Sequence, residues 1–175
     1  MVITLLILAV LLFADILTKY YVEVNLVEHQ IVSAIPNVLD LTLEYNTGAA
    51  WSMFSNSTLF LAILSLIASI AIIFFIVRND WKLKKLYSIS TCLLLAGTYG
   101  NMIDRFMTVF ELRKGVVDMV ILKPLDSLWE MITGSGFPVF NLADVFLVIG
   151  VILLAIDILF LEERRNKKNG KDSSK

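Results

Sequence analysis

The chain has 175 residues, of which 58% are hydrophobic and only 18% charged, and its mean hydropathy is +0.79. Soluble domains carry about a quarter charged residues, so this composition indicates a membrane protein with little room for a separate soluble domain. The 15 cationic and 16 acidic residues leave no large basic surface, which excludes a nucleic-acid binder. One cysteine and one histidine exclude an intramolecular disulfide and a metal site rich in these residues, so we expect neither a metal nor a cofactor.

Four apolar stretches are each long enough to cross the hydrocarbon as a helix. They cover residues 2–21, 58–77, 86–103 and 139–161. We therefore predict an all-α membrane protein, with a single integral membrane domain over residues 1–175. Its expected architecture is a four-transmembrane-helix bundle with a small extracytoplasmic β element and a short interfacial helix.

The cations predict the orientation of this bundle. Ten of the fifteen lie either between the second and third stretches or after Leu161. Lysine and arginine in short connections favour the cytoplasm. We therefore expect both termini and the tail 162–175 to be cytoplasmic, and the long connections 22–57 and 104–138 to face outward.

Two short elements are predicted in these outer connections. Residues Val38–Tyr45 alternate between apolar and polar side chains, which is typical of a strand with one apolar face. The apolar residues of Leu125–Ile132 recur at i, i+3, i+4 and i+7. This spacing predicts a short amphipathic helix in the membrane interface, ended by Gly134-Ser135-Gly136.

The presence of polar residues in or beside the apolar stretches requires a structural or functional explanation, because a charge at mid-bilayer costs about 2.5 to 3.5 kcal/mol. Asp15 and Lys19 lie one helical turn apart and can pair, either as a self-neutralising ion pair or as part of a site. The segment Asn46-Thr47-Gly48-Ala49-Ala50-Trp51 follows the predicted strand. It is either a turn before an interfacial tryptophan or a loop of a site.

The third stretch ends in a polar helical face formed by Gly97, Asn101, Asp104 and Arg105. Together with Gly100, Gly97 permits close helix packing. Asp104 and Arg105 are expected to form an interfacial ion pair that braces the scaffold. Asn101 lies further into the stretch, where a packing role explains it less well.

Two further aspartates lie where the predicted topology meets the outer face. Asp118 is either a loop acid or part of a site. Asp144 begins the fourth stretch, where Asn141 as cap and a carboxylate three residues later would suit a helix start. Two carboxylates brought together can keep one proton between them, so that one accepts a proton from water while the other donates. Such a pair hydrolyses amides without metal or covalent intermediate.

Spacing alone leaves three functions open: a peptidase, a small proton-coupled membrane transporter, and a non-catalytic assembly subunit. A transporter would normally place acids near mid-bilayer within an inverted repeat, and the sequence displays neither. An assembly subunit would use the glycines and interfacial aromatic residues for packing and would tolerate loss of either aspartate.

Five blocks resemble the motifs of the bacterial lipoprotein signal peptidases, the type II signal peptidases, over nearly the whole chain. In order, they are Asp15-Ile16-Leu17-Thr18-Lys19, Asn46-Thr47-Gly48-Ala49-Ala50-Trp51, Gly97-Thr98-Tyr99-Gly100-Asn101-Met102-Ile103-Asp104-Arg105, Val116-Val117-Asp118-Met119 and Phe140-Asn141-Leu142-Ala143-Asp144. Relative to that family, the segment Met119–Ala143 is expected to contain an inserted interfacial helix that affects access, as a lid, and not the chemistry.

By this resemblance, Asp118 and Asp144 are the catalytic aspartate dyad. The resemblance also implies residues that shape or support the site, namely Asp15, Lys19, Asn46, Gly48, Gly97, Gly100, Asn101, Asp104, Arg105, Asn141 and Ala143. The implied substrate is a diacylglyceryl-modified prolipoprotein, cut before its lipidated cysteine and held in membrane lipid. The implied location is the bacterial cytoplasmic membrane, with the site at its outer face.

Overall fold

The computed structural model describes residues 2–48, 57–78, 84–162 and 165. Its elements in chain order are α1 (Val2–Asn25), β1 (Val32–Ile35), β2 (Leu39–Asn46), α2 (Thr58–Arg78), α3 (Lys85–Val109), β3 (Val116–Leu122), α4 (Lys123–Thr133) and α5 (Leu142–Ile156). A π-helical segment, Asp157–Glu162, continues α5. The predicted loop residues Ala49-Ala50-Trp51 and most of the predicted tail lie outside the described residues.

Within the described part of the chain, three helical segments are long and apolar enough to cross a membrane: Val2–Asn25, Thr58–Arg78 and Leu142–Glu162. The third predicted stretch forms α3, whose 25 residues extend for about 37 Å. Its length suffices for a crossing, but α3 is not among the described helices that are also apolar enough to cross a membrane. Composition and length thus support three of the four predicted spans.

The start of the fourth predicted span differs from the structure. We predicted a helix from residue 139, whereas α5 begins at Leu142. Phe140 instead pairs with Val120 of β3 through backbone hydrogen bonds, and Asn141 caps the helix. The side-chain cap satisfies amide groups that a longer helix would have bonded internally, so the apolar residues before it are free to join the sheet.

α3 packs against α1, α2 and α5. Two glycines allow this close approach. A β-carbon added at Gly97 would lie 2.4 Å from the backbone oxygen of Ala143. One added at Gly100 would lie 2.5 Å from the Asp15 carboxylate. Both distances are shorter than van der Waals contact, so the predicted role of these glycines in tight helix packing is confirmed.

The three strands form one antiparallel sheet in the order β1-β2-β3. β2 confirms the predicted strand, but the prediction of one apolar and one polar face is wrong. The register places one extra residue of β2 between Leu41 and Glu44, and this irregularity breaks the alternation. Asp40 and Thr42 are buried, and so is Leu43 directly after Thr42, so burial along β2 does not follow the predicted alternation.

The sheet is fixed to the bundle by apolar contacts at the C-terminal end of α1. Val22 packs with Leu43 of β2 and with Val117 and Met119 of β3, and all four side chains are buried. This small core positions β3, and therefore Asp118, against the ends of the helices. We call this end of the bundle the sheet end.

The predicted amphipathic helix is present as α4. It ends at Gly134, whose φ of 75° is the left-handed conformation that glycine adopts without strain. The Gly134 amide donates a hydrogen bond to the Glu130 carbonyl. Leu128, Met131 and Ile132 are exposed on this helix. Its interfacial location and its role as an inserted lid remain predictions.

Replacing Gly97 by alanine should lower the free energy of unfolding by about 1 to 3 kcal/mol, because the new methyl group meets the rigid backbone of α5. Gly150→Ala is the matched comparison. Its β-carbon would lie 2.9 Å from Leu94 Cγ, in a side chain that can move, and 3.1 Å from the Leu94 backbone nitrogen, farther than the 2.4 Å backbone contact at Gly97, so we expect a smaller loss. Thermal unfolding in detergent measures both. Equal losses would contradict close backbone packing at Gly97.

Candidate active site

Asp118 lies in the middle of β3, opposite Glu44 of β2, and its side chain is buried. Each of its carboxyl oxygens accepts a hydrogen bond from an amide nitrogen. The Asn46 side chain donates to Oδ2 at 3.0 Å and the Asn141 side chain donates to Oδ1 at 2.7 Å. The Asn46 oxygen accepts the Gly48 backbone N–H at 2.9 Å, which orients this amide toward Asp118.

Asp144 lies in the first turn of α5 and forms a capping box with Asn141. The backbone N–H of Asp144 donates to Asn141 Oδ1 at 3.0 Å, and the backbone N–H of Asn141 donates to Asp144 Oδ2 at 3.1 Å. Asn101 of α3 donates its side-chain N–H to Asp144 Oδ1 at 2.8 Å. The predicted capping role is confirmed, and the same contacts orient Asp144 toward the site.

Asn141 connects the two carboxylates. Its side-chain nitrogen donates to Asp118 and, at 3.1 Å, to the oxygen of Asn101, while its own oxygen caps α5. All its donors and its acceptor are therefore engaged, and it is fully buried. Asn141 thus holds the β-strand carboxylate with its side chain and the helix carboxylate with its backbone N–H.

The two aspartates are close enough to affect each other's ionisation. Burial raises the pKa of Asp118 from its ordinary value of 3.8 to about 7, and the negative charge of Asp144 adds to this increase. Hydrogen bonds from Asn46 and Asn141 oppose it by stabilising the carboxylate. Asp118 therefore holds a proton up to about neutral pH.

Lys19 determines which way the Asn101 amide faces. Its ammonium group donates to Asn101 Oδ1 at 3.0 Å. An ammonium group has no acceptor, so the amide oxygen must face Lys19, and the amide nitrogen then faces Asp144. The direction of the hydrogen bonds at Asp144 thus depends on a charge located on another helix.

Lys19 is buried, with 1% of its surface exposed, and it lies between two carboxylates. Its nitrogen is 2.8 Å from Asp15 Oδ2 and 2.8 Å from Asp104 Oδ2. The other Asp15 oxygen accepts the backbone N–H of Ala143 at 2.9 Å. The predicted Asp15–Lys19 pair is therefore present, and it belongs to the network that reaches Asp144.

The predicted pair between Asp104 and Arg105 is wrong. Asp104 binds Lys19 and Arg113, whereas Arg105 donates to the Ser65 hydroxyl of α2 at 3.4 Å. Successive residues of a helix point about 100° apart, so adjacent side chains reach different neighbours. The charge of Arg105 nevertheless interacts at longer range with those of Asp144, Asp118 and Asp104.

Arg113 and Ser65 are site neighbours that the sequence did not reveal. Arg113 lies in the irregular segment after α3, and its partners are remote in sequence. Ser65 is one of several small polar residues in an apolar helix. Neither carries a periodic or motif signal, and only the folded chain brings them to the site.

Each other predicted site residue contacts another member of the set through a hydrogen bond, an ion pair or close packing. Gly97 and Gly100 act as spacers, Gly48 orients Asn46, and Ala143 ties α5 to Asp15. The structure thus brings the predicted residues together at the sheet end. Their roles in a reaction remain predictions.

The fold is similar to those of two bacterial membrane enzymes of known structure. The first, solved by the in meso method at 2.3 Å resolution, superposes with a TM-score of 0.76 and 33% identity, covering 95% of this chain and 92% of that one. A second, solved at 1.9 Å, gives a TM-score of 0.74 and 31% identity, covering 92% of this chain and 95% of that one.

Sequence comparisons identify the family. The model of signal peptidase (SPase) II matches residues 7–160. The lipoprotein signal peptidase of Clostridium acetobutylicum is 38% identical over 163 residues, 93% of this chain and 97% of that one. That of Deinococcus radiodurans is 37% identical over 137 residues, 78% of this chain and 68% of that one. The chain belongs to the signal peptidase II family. These relatives give no support to the transporter alternative.

Lys19→Met should lower the free energy of unfolding by about 3 to 5 kcal/mol, because it leaves the buried carboxylates of Asp15 and Asp104 without their shared cation. Lys114→Met is the control, since Lys114 pairs with Glu28 at the surface and its loss should leave the stability nearly unchanged. Unfolding in detergent measures both variants. Similar stability of the two would contradict the buried network.

Proposed function

We propose that this chain is an intramembrane aspartic endopeptidase that removes signal peptides from diacylglyceryl-modified bacterial prolipoproteins, cutting before the lipidated cysteine. The observation that carries the proposal is the pair Asp118 and Asp144, joined by Asn141 at the sheet end of an apolar helix bundle. Membership of the signal peptidase II family supports the peptidase activity.

The electrostatics suggest a role for each aspartate. Asp118 retains a proton up to about neutral pH because it is buried beside Asp144. Asp144 lies at the N-terminus of α5, where the helix dipole and the Asn141 backbone N–H stabilise a carboxylate. We therefore assign Asp118 as the acid and Asp144 as the base in the first step.

In that step Asp144 removes a proton from water as the water oxygen attacks the scissile carbonyl carbon. Asp118 gives its proton to the carbonyl oxygen, and a tetrahedral diol forms. In the second step Asp144 protonates the leaving nitrogen as the C–N bond breaks, and Asp118 regains a proton from the diol. The products are a carboxylic acid and an amine, and both aspartates return to their starting states.

The position of the site suits a substrate held in lipid. α1, α2 and α5 direct apolar side chains outward, and a prolipoprotein anchored by its apolar signal peptide and by two acyl chains can diffuse laterally to the sheet end. Arg78 and Lys85 lie at the opposite end of the bundle, since α2 ends and α3 begins there. By the preference of cations for the cytoplasm, that end and both termini are cytoplasmic, and the site faces outward at the inner membrane.

Asp118→Asn and Asp144→Asn should each reduce cleavage by at least about a thousandfold while the protein stays folded, because an amide neither shares the proton nor acts as base. Asp40→Asn is the matched control. Asp40 lies in the same sheet but pairs with Lys123, so its variant should cleave normally. The assay is conversion of a diacylglyceryl-modified prolipoprotein by purified protein in lipid. Cleavage retained by either dyad variant would overturn the proposal.

The cleavage rate should decline as pH rises through about 7, because the proton on Asp118 is then lost and the dyad has no acid. Asn46→Ala removes a hydrogen bond that stabilises the Asp118 carboxylate, so its decline should begin at higher pH. Rate profiles of both proteins over the neutral and alkaline range provide the check. A wild-type rate that keeps rising well above neutral pH would exclude Asp118 as the acid.

A further inference from the structure

Arg113 links the segment between α3 and β3 to the buried charges. It lies in the segment between α3 and β3, folds back on the bundle, and has only 14% of its side chain exposed. One guanidinium nitrogen binds Asp104 of α3, and the other is 2.5 Å from Glu23 of α1. The Tyr45 hydroxyl of β2 donates to the same glutamate at 3.3 Å.

Asp104 uses a different oxygen for each of its cations. Oδ1 binds Arg113, and Oδ2 binds Lys19. A continuous path of polar contacts therefore runs from Arg113 through Asp104, Lys19 and Asn101 to Asp144. Every link in this path joins side chains from different parts of the fold, because Lys19 of α1 lies between Asp104 and Asn101 of α3.

The charge balance of this path depends on Arg113. Asp15, Lys19 and Asp104 together carry one net negative charge, and Arg113 supplies the positive charge beside Asp104, which it also shares with Glu23. In a buried site the charge of a neighbour is poorly screened, so an uncancelled carboxylate at Asp104 would attract Lys19 more strongly. That attraction competes with the Lys19 hydrogen bond to Asn101, on which the orientation of the amide toward Asp144 depends.

We propose that Arg113 is a positioning residue for peptide cleavage: by neutralising Asp104, it leaves Lys19 to hold the Asn101 amide that orients Asp144. The inference rests on the proposed function. Arg113 acts through Asp104 and has no role in contacting the reacting groups.

Arg113→Gln should lower kcat by about tenfold or more with little change in KM, since the variant misplaces a carboxylate without altering the substrate's contacts. The decline of rate at alkaline pH should move to higher pH, because loss of a cation favours protonated carboxyls. The charges that face Arg113 are those of Asp104 and Glu23, with Tyr45 and Lys114 beside them.

Two further variants separate charge from structure. Arg113→Lys keeps the charge, so the pH profile should remain that of the wild type and kcat should partly recover. Lys114→Gln removes a cation at the adjacent position, where the partner is the surface residue Glu28. It should leave both kcat and the pH profile unchanged.

If Arg113 only stabilised the fold, the results would differ. Arg113→Gln would then lose thermal stability but keep the wild-type pH profile, and Arg113→Lys would not recover kcat. That combination would overturn the inference. If Arg113→Gln does not fold, Arg113→Lys decides, since a displaced profile in this charge-preserving variant also overturns it.

Different measurements test the inference and the proposed function. If the wild-type protein does not cut the prolipoprotein, the proposed function is wrong. Carboxyl titration by ¹³C NMR, which needs no substrate, then compares wild type with Arg113→Gln. Asp118 should bind its proton more tightly in the variant, and identical titrations would overturn the inference.

Discussion

The buried ammonium group of Lys19 is the interaction on which the rest of the structure depends. A charge inside an apolar bundle is stable only when it is paired and hydrogen-bonded. Lys19 meets this requirement with Asp15, Asp104 and the Asn101 oxygen. These partners come from α1 and α3, so compensating one charge fixes the relative position of two helices. It also gives the Asn101 amide a single orientation, and that amide holds Asp144.

Asn141 has a role both in folding and in the site. Asn141 is the cap that starts α5, and the same side chain donates to Asp118 of β3. A change that disturbs the helix start therefore also disturbs the distance between the carboxylates. Gly97 contributes from the other side, because the close contact of α3 with the Ala143 backbone brings Asn101 within reach of Asp144. Stability and site geometry consequently share residues, and their effects are expected to be coupled.

Local patterns predict much of the fold, because α1 and α2 are long apolar stretches and the apolar residues of α4 and β2 recur at regular spacings. β3 was missed, since its first four residues are all buried and a strand buried on both faces does not alternate. The pairing of Asp104 with Arg105 was inferred from adjacency and failed because its real partners are remote. The five motif blocks are local, but their convergence is a tertiary property, which only the family resemblance could anticipate.

The central claim is that Asp118 and Asp144 act together on one peptide bond. The most direct test is a crystal structure of the protein with a lipidated prolipoprotein mimic whose scissile amide is replaced by a hydroxyl-bearing tetrahedral carbon. We expect that hydroxyl to lie within hydrogen-bond distance of both carboxyl groups. A mimic bound with its hydroxyl away from either aspartate, in a protein that cleaves the natural substrate, would contradict the account.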